Sequence, residues 1–168
     1  MALVVELSEE ELVVGAIHRL ITGLPHGFAP EQELASYFEV LPGPKSPPAI
    51  EEAMTQKGAL GLVTRPRNYL LRPLLRVDAE AEADLDSSRL DAAIASFPAH
   101  QLTYEHGVAS IFESVRNGTA QAGVLLRPAT VAQIAETAHS GRRMPPKTTF
   151  FHPKPRTGMV FRSLDEKA

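Results

Sequence analysis

The chain has 168 residues, of which 43% are apolar and 22% charged, the composition of an ordinary globular protein long enough to bury a real core. It contains no cysteine, which excludes disulfides, thiolate metal sites and a cysteine nucleophile. The net charge of −3 argues against a general nucleic-acid binder, since those carry a basic excess.

No apolar run has the length of a transmembrane helix. The first residues, MALVVELSEEE, lack the basic start of a signal peptide. With no cysteine to oxidise, a cytoplasmic location is expected, without a membrane partner.

Residues 2–7 (ALVVEL) read as a buried strand, followed by a polar turn at 8–11. The apolar run 12–21 resumes as a second strand, so a hairpin of two buried strands is predicted, closed by Thr22-Gly23-Leu24-Pro25. Pro30 with Glu31 and Glu33 opens a helix whose apolar face is Leu34, Tyr37, Phe38 and Leu41. After a proline-stiffened loop, a second helix spans 49–56 and stops at Lys57-Gly58. Runs 59–64 and 69–75 are two strands joined by a turn, and Pro73 marks an edge or bulge. The acidic stretch 78–86 (DAEAEADLD) reads as a solvated linker.

A third helix starts at Ser87 or Ser88 with Leu90, Ala93, Ile94 and Phe97 on one face. A strand at 101–105 follows. A fourth helix at 108–116 is capped by Asn117-Gly118, and 120–126 is a buried strand. A fifth helix runs over 130–139 with Val131, Ile134, Ala135 and Ala138 inward. Thr149–His152 and 157–162 are extended. The order predicts an α+β fold: one mixed or largely antiparallel sheet with about five helices packed on it. Residues 1–168 form one domain, with 1–77 and 87–168 as alternative lobes.

Six histidines invite a metal site, but no pair has helical i, i+4 spacing and HExxH is absent, so no metal is expected. GxSxG, P-loop and GxGxxG patterns are also absent. Two features remain. His18 and Arg19 lie side by side in the apolar run IHRLI. Their side chains face opposite ways on a strand. Either the histidine is a hydrogen-bonded core residue, or Arg19 lines a cleft and grips a carboxylate or phosphate.

The second feature is Arg142–Arg162, with six Lys/Arg and no acid, so the rest of the chain sums to −9. Arg143, Lys147, Thr148, Thr149, Lys154 and Arg156 sit on a proline-stiffened backbone, which suits a small anionic ligand because little freedom is lost on binding. The plainer alternative is a proline-rich crossover that tucks Phe150 and Phe151 into the core.

MPPKTTFFHPKPRTGMVF resembles the closing signature of the bacterial and archaeal domain-of-unknown-function family numbered 1015, of the type MP-x-KST-(Y/F)-F-x-PK-x-x-(S/T)-G-(L/M)-V. Leu125-Leu126-Arg127-Pro128 before Val131-Ala132-Gln133-Ile134-Ala135 resembles the strand-Pro-helix that precedes it. Tyr104 and the helix after Gly107 resemble a further element, and IHRLI the internal His-Arg motif. A DGHHR-type upstream motif, similar to the nucleotide site of ParB and sulfiredoxin relatives, is missing. The resemblance implies that the chain corresponds to the C-terminal half of such a protein and needs an upstream half-domain. It implies phosphoryl transfer for full-length members, free-serine kinases among the relatives, with ATP or ADP as cofactor. Lys147, Thr148, Thr149 and Lys154 would then contact phosphates or an acidic substrate, with His18 and Arg19 bordering the cleft. The alternative is a non-catalytic module that binds a partner or nucleic acid.

Overall fold

A computed structural model describes residues 13–152. The predicted strand at 2–7, the turn at 8–11 and the extended run at 157–162 lie outside the described residues, as do Lys154 and Arg156.

The run 12–21 divides at Ala16-Ile17 into β1 (Val13–Gly15) and β2 (His18–Thr22). These two are not partners. β1 pairs with β8 (Phe150–His152) in a two-stranded antiparallel ribbon. β2 lies in a six-stranded sheet between β7 (Ala122–Leu125) and β6 (Gln101–Glu105).

The helix expected over 30–41 is shorter. α1 spans only Pro30–Leu34, and Phe38–Pro42 is a strand, β3, at one edge of the sheet. Phe38 and Leu41 share helical spacing, yet the pairing of Phe38–Pro42 with β5 (Asn68–Pro73) decides the conformation. α2 (Pro47–Lys57) starts after Ser46 and ends where Gly58 turns left-handed at φ 60, as the Lys57-Gly58 stop predicts. β4 (Leu60–Thr64) and β5 form the expected hairpin. Pro73 closes β5, which lies inside the sheet rather than at an edge.

The acidic stretch is a solvated linker only in part: 81–85 connects two helices with Glu82 and Asp84 exposed. Its first part belongs to α3 (Leu75–Glu80) and its last residue opens α4 (Asp86–Ile94). α5 (Val108–Asn117) ends on Gly118 at φ 85. α6 (Val131–His139) starts with a capping box between Thr130 and Gln133. On α6, Thr137 is the buried residue and Ala138 is exposed, so the inward face is turned from the expected one. The fold is therefore α+β, with six helices among the described residues.

Strand order in the sheet is β3-β5-β4-β7-β2-β6, antiparallel throughout. Alternation along the strands gives it two apolar faces. Ile21, Leu62, Leu71 and Val124 pack with Leu34, Val77, Leu90 and Ile94 from α1, α3 and α4. Leu20, Val63, Leu70 and Leu125 pack with Ile50, Met54, Ile111 and Val115 from α2 and α5. Gly123 allows the second layer to close, because a Cβ there would overlap Ile111 Cγ2. Among the described residues no helix is long and apolar enough to cross a membrane.

Candidate functional site

A cleft of about 610 Å³ opens where the start of α4, the end of β7, the start of α6 and the turn 145–148 meet. Its wall at α4 comes from the acidic stretch. Asp86, the first residue of α4, is 7% exposed. It accepts from the Arg127 backbone N–H at 2.9 Å, from Nε at 2.9 Å and from Nη2 at 2.6 Å. This is the paired fork that arginine makes with a carboxylate. Arg89, one turn into α4, donates Nε to Asp78 on α3 at 2.6 Å and Nη2 to Asp84, and its Nη1 stands 3.7 Å from Asp86. Burial alone would lower the Arg89 pKa. The hydrogen bonds to Asp78 and Asp84, together with the charges of those carboxylates, outweigh burial and hold it above the ordinary value.

The loop between α3 and α4 is tied down from the far side. Gln133 Nε2 donates to Asp84 O at 2.6 Å, and Arg142 Nη1 donates to Glu82 O at 2.6 Å. Three carboxylates (Asp78, Asp84, Asp86) and three guanidinium groups (Arg72, Arg89, Arg127) line the cleft, so its formal charge balances.

The basic segment reaches this cleft at one residue. Lys147 adopts φ 58, the only non-glycine residue with positive φ among those described. A left-handed lysine is strained, because its Cβ approaches the following carbonyl. The turn brings Thr148 back so that its Oγ1 donates to Pro145 O at 2.8 Å and lies 3.0 Å from Ser87 Oγ on α4. Thr148 and Ser87 both line the cleft.

The other residues singled out in the sequence fall elsewhere. Lys147 and Arg143 are exposed next to the cleft-lining Thr148 segment, and Thr149 is half-buried before β8. His18 is 4% exposed, and its Nδ1 accepts from Leu126 N at 3.2 Å. That bond fixes the neutral ring with its hydrogen on Nε2. Burial first, then the charges of Arg19 and His106, push its pKa down to about 4. It touches the cleft only through Leu126. Arg19 is not in the cleft. It is 1% exposed, donates Nη1 to Ile17 O at 2.8 Å, and stacks 4.6 Å from the centre of the Tyr104 ring on β6. Burial lowers its pKa, partly offset by Asp91 and Tyr104. No carboxylate pairs with it among the described residues.

The residues that sequence reading missed are Asp78, Asp84, Asp86, Ser87, Arg89 and Arg127. Arg127-Pro128 directly after a buried strand was the one local signal. Among the described residues, no group of three or more His, Asp or Glu is placed to hold a metal ion.

With this geometry in place, the chain can be compared with known proteins. No family profile matches it, and neither does any curated protein. Its fold is similar to that of several solved structures. A free serine kinase in complex with AMP superposes with a TM-score of 0.56 at 17% identity, over 85% of this chain and 55% of that one. A single-residue variant of free serine kinase in complex with ADP gives 0.56 at 16% identity, with the same two coverages. A conserved hypothetical protein from Pyrococcus furiosus gives 0.56 at 16% identity over 85% and 57%. At such identities the likeness is one of fold. The chain spans a little over half the length of these structures.

Proposed function

We propose that this chain is the substrate-side part of a small-molecule phosphotransferase of the free-serine-kinase type, using ATP or ADP, and that it is inactive alone. The observation that carries the reading is the shared fold with AMP- and ADP-bound free serine kinases over 85% of the chain. The matched structures are about half as long again, since the match covers 85% of this chain and 55% of theirs, which supports a requirement for a further polypeptide region, the upstream half-domain that the sequence resemblance implies.

The cleft at α4 and α6 then receives the acceptor substrate. It is polar, of metabolite size, and its walls are fixed by ion pairs rather than by mobile side chains, which suits the positioning that phosphoryl transfer requires. Lys147 and Arg143, exposed beside Thr148, supply positive charge for a phosphoryl group. His18 holds the Leu126 amide and so the backbone that carries Arg127. This is a positioning role. Such an enzyme works in the cytoplasm.

Titration of the chain with ATP, ADP, phosphoserine and pyrophosphate, read as a shift in melting temperature, tests the reading. A rise with ADP or phosphoserine that weakens in Lys147→Ala is the expected result. No rise with any of the four, with Lys147→Ala equally silent, would sink it.

A further inference from the structure

We infer that Ser87 recognises the ligand of the α4–α6 cleft as a hydrogen-bond acceptor, and that the ligand group at that corner is a protonated amine. The inference rests on the reading of this cleft as the substrate side and specifies its chemistry.

The argument follows one hydrogen. A threonine hydroxyl has a single hydrogen to donate, and a carbonyl oxygen can only accept. The Thr148 hydrogen therefore lies on Pro145 O, 2.8 Å away. The 3.0 Å bond between Ser87 and Thr148 must then carry the serine hydrogen. The relay runs from Ser87 to Thr148 to Pro145. Ser87, 2% exposed and lining the cleft, is left with lone pairs and no hydrogen to offer.

The cations around it are also engaged. Arg89 is held by Asp78 and Asp84, Arg127 gives two nitrogens to Asp86, and Arg72 pairs with Glu39. The cleft groups still open to a ligand are mainly acceptors. The side chains of Asp84 and Asp78 are 70% and 42% exposed, and each carboxylate has lone pairs beyond those that Arg89 takes. An ammonium has three donors and no acceptor, the complement of Ser87 with these two carboxylates. A phosphate placed at Ser87 would meet lone pairs only. Arg127 Nη1 lies outside the Asp86 fork, so an anionic group elsewhere on the same ligand has a place, away from Ser87.

Calorimetric titration of the full chain with ethanolamine, and separately with inorganic phosphate, tests this. The parent chain is expected to bind ethanolamine in preference to phosphate. Ser87→Ala should weaken ethanolamine by roughly 10- to 100-fold, the usual effect of losing one hydrogen bond to a charged group. Thr148→Val removes the acceptor for the Ser87 hydrogen, which then turns toward the ligand. Ethanolamine should weaken and phosphate strengthen, while Thr148→Ser, which keeps the relay, should match the parent. The Thr148 pair decides the matter even if Ser87→Ala folds poorly.

Phosphate binding by the parent that Ser87→Ala weakens overturns the inference. So does a folded Ser87→Ala that binds ethanolamine as tightly as the parent. ATP and ADP in the same series separate the two levels. Nucleotide binding without amine binding overturns this inference and leaves the phosphotransferase reading standing. Ser87-dependent amine binding without nucleotide binding supports this inference and counts against that reading.

Discussion

Asp86 and Arg127, 41 residues apart, are joined by three hydrogen bonds, one of them from the Arg127 backbone. The pair ties the first turn of α4 to the end of the central strand β7, and so fixes the width of the cleft. Asp86→Ala strands a partly buried guanidinium and a backbone N–H. It should cost about 2–4 kcal/mol in urea denaturation, below the full cost for a buried pair because the Arg127 side chain remains 31% exposed. A loss under about 0.5 kcal/mol would mean that the pair is no stronger than a surface one.

His18 makes stability depend on pH. Its folded value of about 4 lies below the ordinary histidine value of 6.5. Above pH 6.5 both states leave it neutral and the effect is absent. As pH falls from 6.5 to 4, the unfolded chain takes the proton and the folded one does not, so stability falls by roughly 3 kcal/mol. His18→Gln should flatten that part of the stability–pH curve. An unchanged slope would show that other groups set it.

Lys147 carries backbone strain at the turn that positions Thr148. Lys147→Gly relieves the left-handed strain and should raise the melting temperature slightly, while Lys147→Val, β-branched at positive φ, should destabilise by about 1–2 kcal/mol. The expected order is Gly above Lys above Val. If Gly instead falls below Lys, the lysine side chain stabilises the turn by more than its backbone costs.

Arg19 is buried with one hydrogen bond and a stack on Tyr104; among the described residues no carboxylate lies within ion-pair distance, and only the more distant charge of Asp91 offsets its burial besides Tyr104. Replacement of a poorly compensated buried charge by an apolar side chain of similar length is often stabilising. Arg19→Met should therefore be neutral or more stable by about 1 kcal/mol in thermal unfolding. A loss of more than about 1 kcal/mol would show that the Tyr104 stack outweighs desolvation.

Much of the framework is legible where local signals agree with the final packing. α2 stops at Gly58 as expected, though it begins at Pro47, inside the stretch read as loop; α5 ends on Gly118, and β4–β5 is a short-range hairpin. Phe38–Pro42 misleads because Leu34, Phe38 and Leu41 fit a helical stripe as well as a strand, and only the distant β5 selects between them. The acidic stretch misleads for a related reason. Composition reports its charge, whereas the arginines that desolvate it stand at 89 and 127. The cleft is harder still, since Ser87 and Thr148 lie 61 residues apart and neither belongs to a local motif with the other. His18 and Arg19 were recognisable as unusual, and the structure separates their environments by the two faces of one strand.

The strand order also governs how the chain assembles. β7 lies between β4 and β2, although it follows both in sequence by many residues. Until residues 122–125 leave the ribosome, β3-β5-β4 and β2-β6 remain two incomplete sheets, each with an open edge facing the gap that β7 will fill. Synthesis up to residue 121 therefore yields adhesive pieces rather than a domain, and closure is a late, long-range event of the kind that slows folding. Release of a nascent chain stopped at residue 121 should give aggregation, and one stopped beyond Arg127 should be the first to protect the β4 and β2 amides from hydrogen exchange.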